Sequence, residues 1–404
     1  MLYVGIDWAS RSHEACVLDE QGELVERFSL AHTEDGITRA LWRLGRLGAP
    51  AELAVAIERP DGVLVARLLD AGHPVYPIHP NAFAAARPRW GAAGAKDDPG
   101  DAYRLADMLR TDHRRLRRLQ PASQATRELQ ALSRLRDEQV KARVAATNRL
   151  RALLEAHWPG AGVIFGRLDS EIALDFLERY PTPESAARLG EARLSAFLTR
   201  HSYCGRRSAG ELLGRLRAAP AGPERLGPEV LAELVGAQVR LLRALRAGIA
   251  DLDRALAAGL AEHDKAALLE TLPRVGRINL AQIIGEIGPL LEQAPGAEVV
   301  AAAAGAAPVT RASGERRGVA FRFACSGRAR KALMTFADNS RRASPWAAAI
   351  YARARVRGKR HPHAIRILAR AWLRVIWAVW HGAAPYDPAR HGGLQRLLIG
   401  EGLT

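Results

Sequence analysis

Four acidic residues in the first quarter of the chain have a spacing that could hold divalent cations. Asp7 ends an apolar run that predicts the first β-strand, and Glu58 ends a later apolar run that predicts another. Asp98 and Asp101 are three residues apart at a predicted helix start beside Pro99, so both can face the same direction across one turn. If the two strands pair, the four carboxylates converge, and their mutual repulsion requires a compensating cation.

Magnesium is the cation that suits such a set of carboxylates. It is a hard ion that binds carboxylate oxygens, keeps several waters and shares its remaining positions with phosphate. Two such ions about 4 Å apart can activate an attacking oxygen and stabilise a leaving one. The sequence therefore predicts a site for two Mg²⁺ ions at these four acids, with Asp61 and Asp97 as lower-ranked alternatives. Taken singly, each acid could instead be a helix cap or a solvated surface charge.

The strands and helices that position these acids are predicted to form a mixed sheet covered by helices. Strand signals over residues 2–8, 13–18 and 23–30 are followed by a helix over 33–47 and a strand over 52–58. Further along, the pattern alternates between helix and strand, with a helix over 62–71, a strand over 74–78, and helices over 80–89 and 99–110. Three leading strands followed by this alternation predict an α/β domain of RNase H-like (RuvC-like) fold over residues 1–112.

The rest of the chain is predicted to be mainly helical. Apolar residues recur at helical spacing over 121–157 and 228–263, with Arg and Lys on the other faces. These two long helices predict an all-α, coiled-coil-like region over 113–265, used as an arm for oligomerisation or for spanning nucleic acid. Packing of the two helices on each other within one bundle is the alternative. A mainly α C-terminal domain is expected over 266–404.

A glycine turn in the C-terminal part predicts a contact with phosphate. Residues 272–278 (Leu-Pro-Arg-Val-Gly-Arg-Ile) followed by a helix over 281–288 resemble a helix-hairpin-helix unit. In such a unit, backbone N–H groups at the turn and the helix N-terminus face a DNA phosphate. A plain helix-turn-helix packing unit is the other interpretation.

The distribution of charge indicates a nucleic-acid partner. The chain carries a net charge of +16, and residues 1–110 have 12 basic and 16 acidic side chains. Residues 113–151 have 11 basic and 3 acidic side chains, and residues 311–374 have 17 basic and 2 acidic ones. A slightly acidic N-terminal segment followed by two basic segments is typical of a protein that binds the phosphate backbone of nucleic acids. The predicted nucleic-acid contacts are Arg114, Arg115, Arg117, Arg118, Arg311, Arg316, Arg317, Arg328 and Lys331.

Composition also bears on where the protein works. No run of about 18 uncharged apolar residues is present, and the first residues lack the basic and cleavage regions of a signal peptide. The three cysteines are far apart and fit no metal spacing. These features predict a protein of a reducing cytoplasm, without a membrane partner.

The motifs taken together resemble a known family, the DEDD transposases of insertion sequences. Their N-terminal domain is RuvC-like, and they include the Piv-type invertases and the bridge-RNA-guided serine recombinases. The resemblance rests on Gly5-Ile6-Asp7, Ile57-Glu58, Lys96-x-Asp98-x-x-Asp101, Leu272-Pro273-x-Val275-Gly276, the run from Gly305 to Gly314, and Tyr386-Asp387-Pro388.

The resemblance implies a DNA recombinase that transposes an insertion sequence. It implies that Ser313, in a glycine-bounded loop beside Arg311, Arg316 and Arg317, attacks a DNA phosphodiester and forms a covalent serine–DNA intermediate. A serine hydroxyl needs activation by a metal or a base to do so. In this family a Thr or Ser often precedes the third acid, whereas Asp97 stands there in this chain, so whether Asp97 or Asp98 binds metal stays open.

The same resemblance implies partners for the protein. They are donor and target double-stranded DNA, a structured non-coding guide RNA, and further copies of the chain, as a dimer that assembles into a synaptic tetramer. Two other functions remain in competition. One is a RuvC-like junction resolvase or nuclease that hydrolyses DNA with water, and the other is a nucleic-acid-binding protein without catalytic activity.

Overall fold

A computed structural model of the chain describes residues 1–91, 97–222, 226–313 and 316–400, and for 311–313, 316, 317 and 400 it describes the backbone alone. Lys96, part of the third acidic motif, lies outside the described residues. The chain divides into two compact units, Met1–Pro121 and Ala122–Thr404. The three-domain division with boundaries at 112 and 265 stays a prediction.

The first unit is a mixed α/β domain, as the sequence predicts. Its strands are β1 (Leu2–Asp7), β2 (Ser12–Leu18), β3 (Leu24–Ala31), β4 (Leu53–Ile57) and β5 (Val75–Pro77). Its helices are α1 (Glu34–Leu47), α2 (Val63–Asp70), α3 (Pro80–Ala86) and α4 (Asp98–Asp112). All nine elements overlap the segments predicted from the sequence, because apolar runs mark strands such as β4 and helical periodicity marks helices such as α1.

The five strands form one sheet in the order β3-β2-β1-β4-β5. Strands β1, β2 and β3 form an antiparallel meander, and β4 and β5 add to it in parallel, with β4 beside β1. Three antiparallel strands followed by two parallel crossovers are compatible with an RNase H-like fold. This order makes β1 and β4 neighbours although 45 residues separate the end of β1 at Asp7 from the start of β4 at Leu53.

Each face of this sheet is covered by helices. Alternate side chains such as Val4 and Ile6 pack with α1 and α2 on one face. The other face meets α4, most closely at Gly5, where an added Cβ would lie 2.0 Å from the carbonyl oxygen of Ala102. Glycine is therefore required here, because any side chain would push α4 away from the strand that carries Asp7.

The second unit is mainly helical, with one pair of strands. Its first helices are α5 (Gln124–His157), α6 (Pro159–Val163), α7 (Glu171–Arg179), α8 (Pro183–Ala186), α9 (Glu191–Arg200), α10 (Ala209–Ala218) and α11 (Pro228–Glu262). The remaining elements are α12 (Ala266–Glu270), α13 (Arg277–Gln293), α14 (Ala297–Ala303), β6 (Val309–Ser313), β7 (Arg316–Ala320), α15 (Gly327–Ser340), α16 (Pro345–Val356), α17 (His361–Gly382) and α18 (Gly392–Gly400).

The two long helices, α5 and α11, pack against each other in antiparallel orientation. Thr126 near the start of α5 hydrogen-bonds to His263 just after α11, 2.9 Å apart, and Arg136 pairs with Asp253 almost three turns further along. The alternative of two helices packed on each other is thus what this chain shows. An arm for oligomerisation stays a prediction.

A second core forms around α13, α15 and α17. Trp372 is completely buried there, with its ring centroid 4.9 Å from that of Trp346 and 5.2 Å from that of Phe336. Within the described residues, no helix is long and apolar enough to cross a bilayer.

The predicted hairpin before α13 differs from its expected geometry. The left-handed backbone conformation falls on Arg274 (φ 56°), while Gly276 is the extended N-cap of α13 (φ −79°). The turn of this unit therefore depends on Arg274 and not on the glycine. A contact between α13 and phosphate stays a prediction.

Candidate active site and nucleic-acid interface

Asp7 and Glu58 follow directly after a pair of residues in register. Ile6 of β1 is the partner of Ile57 of β4 in a parallel ladder, and each acid is the next residue along its chain. Both isoleucines are buried in the core below the sheet, so alternation turns Asp7 to the opposite face, the one that α4 covers. Both acids are half-buried. The structure thus brings these two predicted site residues to one edge of the sheet.

Side chains next to these acids also connect the two strand ends. The Arg59 guanidinium lies 4.7 Å from the centre of the Trp8 ring and 2.6 Å from a carboxylate oxygen of Asp61. Trp8 follows Asp7 and Arg59 follows Glu58 in sequence, so the cation–π contact links the residues just beyond the acids. The ion pair with Arg59 therefore compensates the negative charge of Asp61, and no metal is needed for that.

The N-terminus of α4 approaches the same edge of the sheet. Gly5 is close to Ala102 and Ala106, while Tyr3 packs against the following turn near Leu105. The helix therefore runs with its N-terminus toward the end of β1 that carries Asp7. Asp98 is the first residue of α4 and Asp97 is its N-cap, and both are exposed. Which of the two binds metal stays open.

Asp101 has a different environment from the other acids. Its side chain is 2% exposed, and its two carboxylate oxygens accept hydrogen bonds from Arg87 and Arg104, each at 2.7 Å. Arg87 begins a short 3₁₀ turn, Arg87–Trp90, and Arg104 is on the next turn of α4. Asp101 is therefore neutralised by two guanidinium groups, which the sequence analysis did not anticipate.

The four acids do not form a ready-made metal cage. Among the described residues, no group of three or more His, Cys, Asp or Glu side chains lies close enough together to hold one ion. Asp7 and Glu58 are adjacent, Asp98 is at the start of the helix above them, and Asp101 is held by arginines. The magnesium site stays a prediction, and its strongest part is the pair on the strand ends.

Sequence reasoning missed a further acid, Glu14. In the antiparallel ladder of β1 and β2, Glu14 is the partner of Asp7, so the two side chains extend from the same face of the sheet. The sequence could have indicated Glu14. In a hairpin of the two predicted strands, a residue near the start of the second strand pairs with a residue near the end of the first, where Asp7 lies. The predicted strand over 13–18 contained Glu14, but no pairing was assigned to it.

Two histidines behind Asp7 were also missed. His13 is 1% exposed and accepts a hydrogen bond from the backbone N–H of Ala9 at Nδ1, while its Nε2 lies 2.8 Å from Nδ1 of His32. Burial, followed by the neighbouring His32, lowers the pKa of His13 to about 4. His13 is therefore neutral near pH 7, with its Nε2 proton donated to His32. These hydrogen bonds of His13 hold the loop between β1 and β2, which begins directly after Asp7.

The predicted nucleophile is on a strand and not in a loop. Ser313 ends β6, and it is the register partner of Arg316 at the start of β7. Val309–Ser313 and Arg316–Ala320 have no clear polar/apolar alternation, and the glycine between them is a loop signal, so the sequence does not indicate this hairpin. The side chains of Ser313, Arg311, Arg316 and Arg317 lie outside the described residues.

The other predicted contacts with nucleic acid divide into two groups. Arg114, Arg115, Arg117 and Arg118 are all exposed in the segment that follows α4. In α15, Lys331 lies 2.5 Å from Asp137 and Arg328 lies 3.3 Å from Glu138, so both pair with acids of α5. In the first group Arg115 lies 3.5 Å from Asp112, at the limit of an ion pair, whereas both members of the second group have carboxylate partners on α5.

These features define a class of protein. An α/β domain compatible with an RNase H-like fold, with acids at the ends of neighbouring parallel strands, is joined to a helical unit rich in arginine. This combination is typical of enzymes that act on nucleic-acid phosphates.

Comparison with known proteins identifies the family. Residues 4–159 match a family model described as "Transposase", and residues 266–352 match one described as "Transposase IS116/IS110/IS902 family". The chain is 33% identical over 387 residues to the "Mini-circle putative transposase for IS117" of Streptomyces coelicolor, covering 92% of each chain. It therefore belongs to the IS110/IS116 family of insertion-sequence transposases, proteins that act on DNA.

Two further relatives agree with this assignment. The "Insertion element IS900 uncharacterized 42 kDa protein" of Mycobacterium paratuberculosis is 28% identical, covering 96% of this chain and 98% of its own. The "Putative transposase y4uE" of Sinorhizobium fredii is 36% identical over 202 residues, which is 49% of this chain and 56% of its own.

Proposed function

We propose that this transposase cuts and exchanges DNA strands with Mg²⁺ and through a covalent bond between Ser313 and DNA. A structured non-coding RNA would choose the sites by base pairing, and the reaction would take place on the bacterial nucleoid. The single observation that carries the catalytic part is the parallel register of Ile6 and Ile57, because it sets Asp7 and Glu58 side by side on the strand ends.

The chemistry of this pair fits magnesium. One or two carboxylates, completed by water and substrate phosphate, are the ligands Mg²⁺ prefers in phosphoryl-transfer sites. Asp7 and Glu58 would hold the ion, and Asp98 at the exposed start of α4 would join them. Asp101 could join only by exchanging its contacts with Arg87 and Arg104. When bound, the metal supplies positive charge that stabilises the phosphate oxygens during transfer.

The covalent step would be a transesterification at serine. The hydroxyl of Ser313 loses its proton, its oxygen forms a bond to phosphorus, and the bond between phosphorus and a sugar oxygen breaks. That sugar oxygen takes up a proton and leaves as a hydroxyl group. Joining a second DNA strand is the same step in reverse, with the hydroxyl of the incoming strand displacing serine, so the energy of the phosphodiester is retained and no water is consumed.

The arginine content supports the choice of substrate. Exposed Arg114, Arg115, Arg117 and Arg118 give the first unit a run of cations suited to phosphate contacts. If base pairing with a guide RNA selects the site, the protein reads backbone and shape, which this charge pattern suits. Exchange between two duplexes would need a dimer that assembles into a synaptic tetramer.

Denaturing electrophoresis tests the covalent step. The full-length protein is incubated with labelled DNA of its element ends, Mg²⁺ and any RNA that copurifies with it. We expect a labelled protein–DNA band that is lost in Ser313→Ala and also in Asp7→Asn. Cutting without an adduct in Ser313→Ala would overturn the covalent step and favour a RuvC-like hydrolase. Unchanged transposition in cells by Asp7→Asn would favour a binding protein without catalytic activity.

A further inference from the structure

A cavity of about 390 Å³ lies at the base of the β6–β7 hairpin. Its walls come from the segment before β6, the end of β7 and one side of α17, and include Pro308, Ala320, Phe321 and Arg366. This volume is in the range of cavities that bind small molecules or single groups of larger ligands, about 300–1,000 Å³. All of its lining residues belong to the second unit.

Two phenylalanines stand at this cavity, one in its wall and one beside it. The ring centroids of Phe321 and Phe323 are 4.7 Å apart, with the ring planes at 81°. Phe321 is half-buried, whereas Phe323 is 83% exposed. An aromatic ring exposed to this degree and supported edge-on by a second ring offers a free π face on which a base can stack.

Two arginines approach the same wall. The guanidinium groups of Arg330 and Arg366 lie 4.5 Å and 4.8 Å from the centre of the Phe321 ring. Within the part of the chain whose side chains the structure describes, no carboxylate forms an ion pair with either arginine. Two like charges flanking one ring repel each other, and a bound anion would relieve this repulsion.

The titration of nearby groups agrees with a positive field. Burial, followed by the charge of Arg330, lowers the pKa of Arg366. Burial, followed by Arg366 and Lys359, lowers the pKa of His363, which also lines the cavity. Burial is the larger cause of both shifts, and the smaller one is repulsion from neighbouring cationic groups.

We propose that this cavity binds one unpaired DNA nucleotide, with its base stacked on Phe323 and its phosphate beside Arg366. An unpaired base is required, because in a duplex the faces of the bases are covered by their neighbours. DNA is the favoured ligand because the cavity is near Ser313, which attacks DNA in the proposed function. Pro308 of the cavity wall directly precedes β6, and Ser313 ends that strand about 13 Å further on. At about 3.4 Å per stacked nucleotide, roughly four nucleotides cover this distance. The inference rests on the proposed function of Ser313.

Fluorescence anisotropy with the full-length protein tests this proposal. The probes are a labelled oligothymidylate, the same backbone with abasic sites, a duplex, and an oligouridylate. The variants are Phe323→Ala and Arg366→Met, with Val356→Ala and Arg342→Met as controls that remove an exposed apolar group or an exposed charge from outside the cavity. Phe323 and Val356 are 83% and 88% exposed, so neither change should affect folding, which circular dichroism would check.

We expect Phe323→Ala to weaken binding of oligothymidylate about ten-fold, as loss of one stacked base does. Binding of the abasic probe and the duplex should change less than two-fold. Arg366→Met should weaken binding to oligothymidylate and the abasic probe alike, and both controls should bind as the unchanged protein does. An equal loss on duplex, no loss on oligothymidylate, or tighter binding of oligouridylate with the same dependence on Phe323 would each overturn the proposal.

The outcome separates this proposal from the proposed function. If Ser313 forms no adduct but Phe323→Ala still selectively weakens binding of unpaired DNA, the nucleotide site stands and the covalent step fails. If the adduct forms and Phe323→Ala binds and reacts as the unchanged protein does, the covalent step stands and the nucleotide site fails.

Discussion

Arg87 and Asp101 form an ion pair at 2.7 Å in which the carboxylate is almost completely buried. The second oxygen of Asp101 is held by Arg104 at the same distance. The pair fastens the Arg87–Trp90 turn to the first turns of α4, the helix that must bring its acids to the end of β1. Asp101 therefore acts first as the residue that positions the start of α4.

Replacing Asp101 with Asn should lower the free energy of unfolding of the first unit by about 3 kcal/mol. Removing one partner of a buried ion pair leaves the others without compensation, and two guanidinium groups would then face each other. Thermal and urea unfolding in Mg²⁺-free buffer, followed by circular dichroism, measure the change.

Asp98→Asn is the matched control for this change, because Asp98 is exposed on the same helix. We expect its cost to stay within about 1 kcal/mol, the size of a helix-dipole interaction. If Asp101→Asn unfolds like the unchanged protein but no longer gains stability from Mg²⁺, then Asp101 is a metal ligand and not a positioning residue.

The close approach of Gly5 to α4 gives a second prediction. Gly5→Ala would put a methyl group 2.0 Å from the carbonyl oxygen of Ala102 and 2.4 Å from the backbone nitrogen of Ala106. Because backbone atoms are on both sides of the clash, α4 must move, at a cost of about 3 kcal/mol or more. Urea unfolding should show this loss, and Mg²⁺-dependent cleavage should fall with it.

Gly45→Ala provides the comparison. Gly45 lies within α1 and an added Cβ there meets nothing within 4 Å. Alanine should therefore stabilise the helix by about 0.5–1 kcal/mol. If both alanine variants had the same stability, the packing of α4 on β1 would be looser than the structure indicates.

The sequence was sufficient to predict the elements of the first unit because their patterns are local. Apolar runs predicted β1 and β4, and the pairing expected of an RNase H-like sheet places Asp7 and Glu58 side by side, which agrees with the register of Ile6 and Ile57. The ion pair of Arg87 with Asp101 could not be predicted, since it depends on how a turn folds back on a helix 14 residues away.

Other differences arise from the pairing of elements. The periodicity of α5 predicted a helix but left open whether it packs on α11, which the contacts of Thr126 with His263 and of Arg136 with Asp253 show. Ser313 was assigned to a loop because Gly314 is a strong local turn signal, whereas cross-strand pairing with β7 extends β6 to that serine. Local signals therefore predict elements, whereas the partner of an element and its exact ends depend on how the elements pair.

Acidification should destabilise the first unit through His13. The pKa of His13 is lowered to about 4 in the folded protein, so between about pH 6.5 and pH 4 the unfolded chain binds a proton that the folded chain does not. The free energy of unfolding therefore falls as the pH decreases through this window, by at most about 3 kcal/mol at 1.4 kcal/mol per pKa unit. Above pH 6.5 this histidine makes no pH-dependent contribution. Urea unfolding at a series of pH values measures the slope.

The variant His13→Gln identifies the source of that slope. Glutamine can accept the hydrogen bond from Ala9 but does not titrate, so the fall between pH 6.5 and pH 4 should become shallower. An identical slope in the variant would assign the effect to other groups. The expected loss has the causes that lower this pKa, burial first and then the neighbouring His32, and protonation would also place a second N–H donor opposite the N–H of Ala9.

The two groups of predicted phosphate contacts should differ in how they set the salt dependence of DNA binding. Each lysine or arginine that contacts a phosphate releases counterions and contributes about one unit to the slope of log K against log salt concentration. Arg117 and Arg118 are exposed, so replacing both with Ala should reduce the slope by about two. Replacing Arg328 and Lys331 removes the same charge, but Glu138 and Asp137 already compensate it, so the slope should change by less than one. Anisotropy titrations with one duplex at several salt concentrations provide both values, and equal slopes for the two double variants would mean that α15 releases its acidic partners to bind DNA.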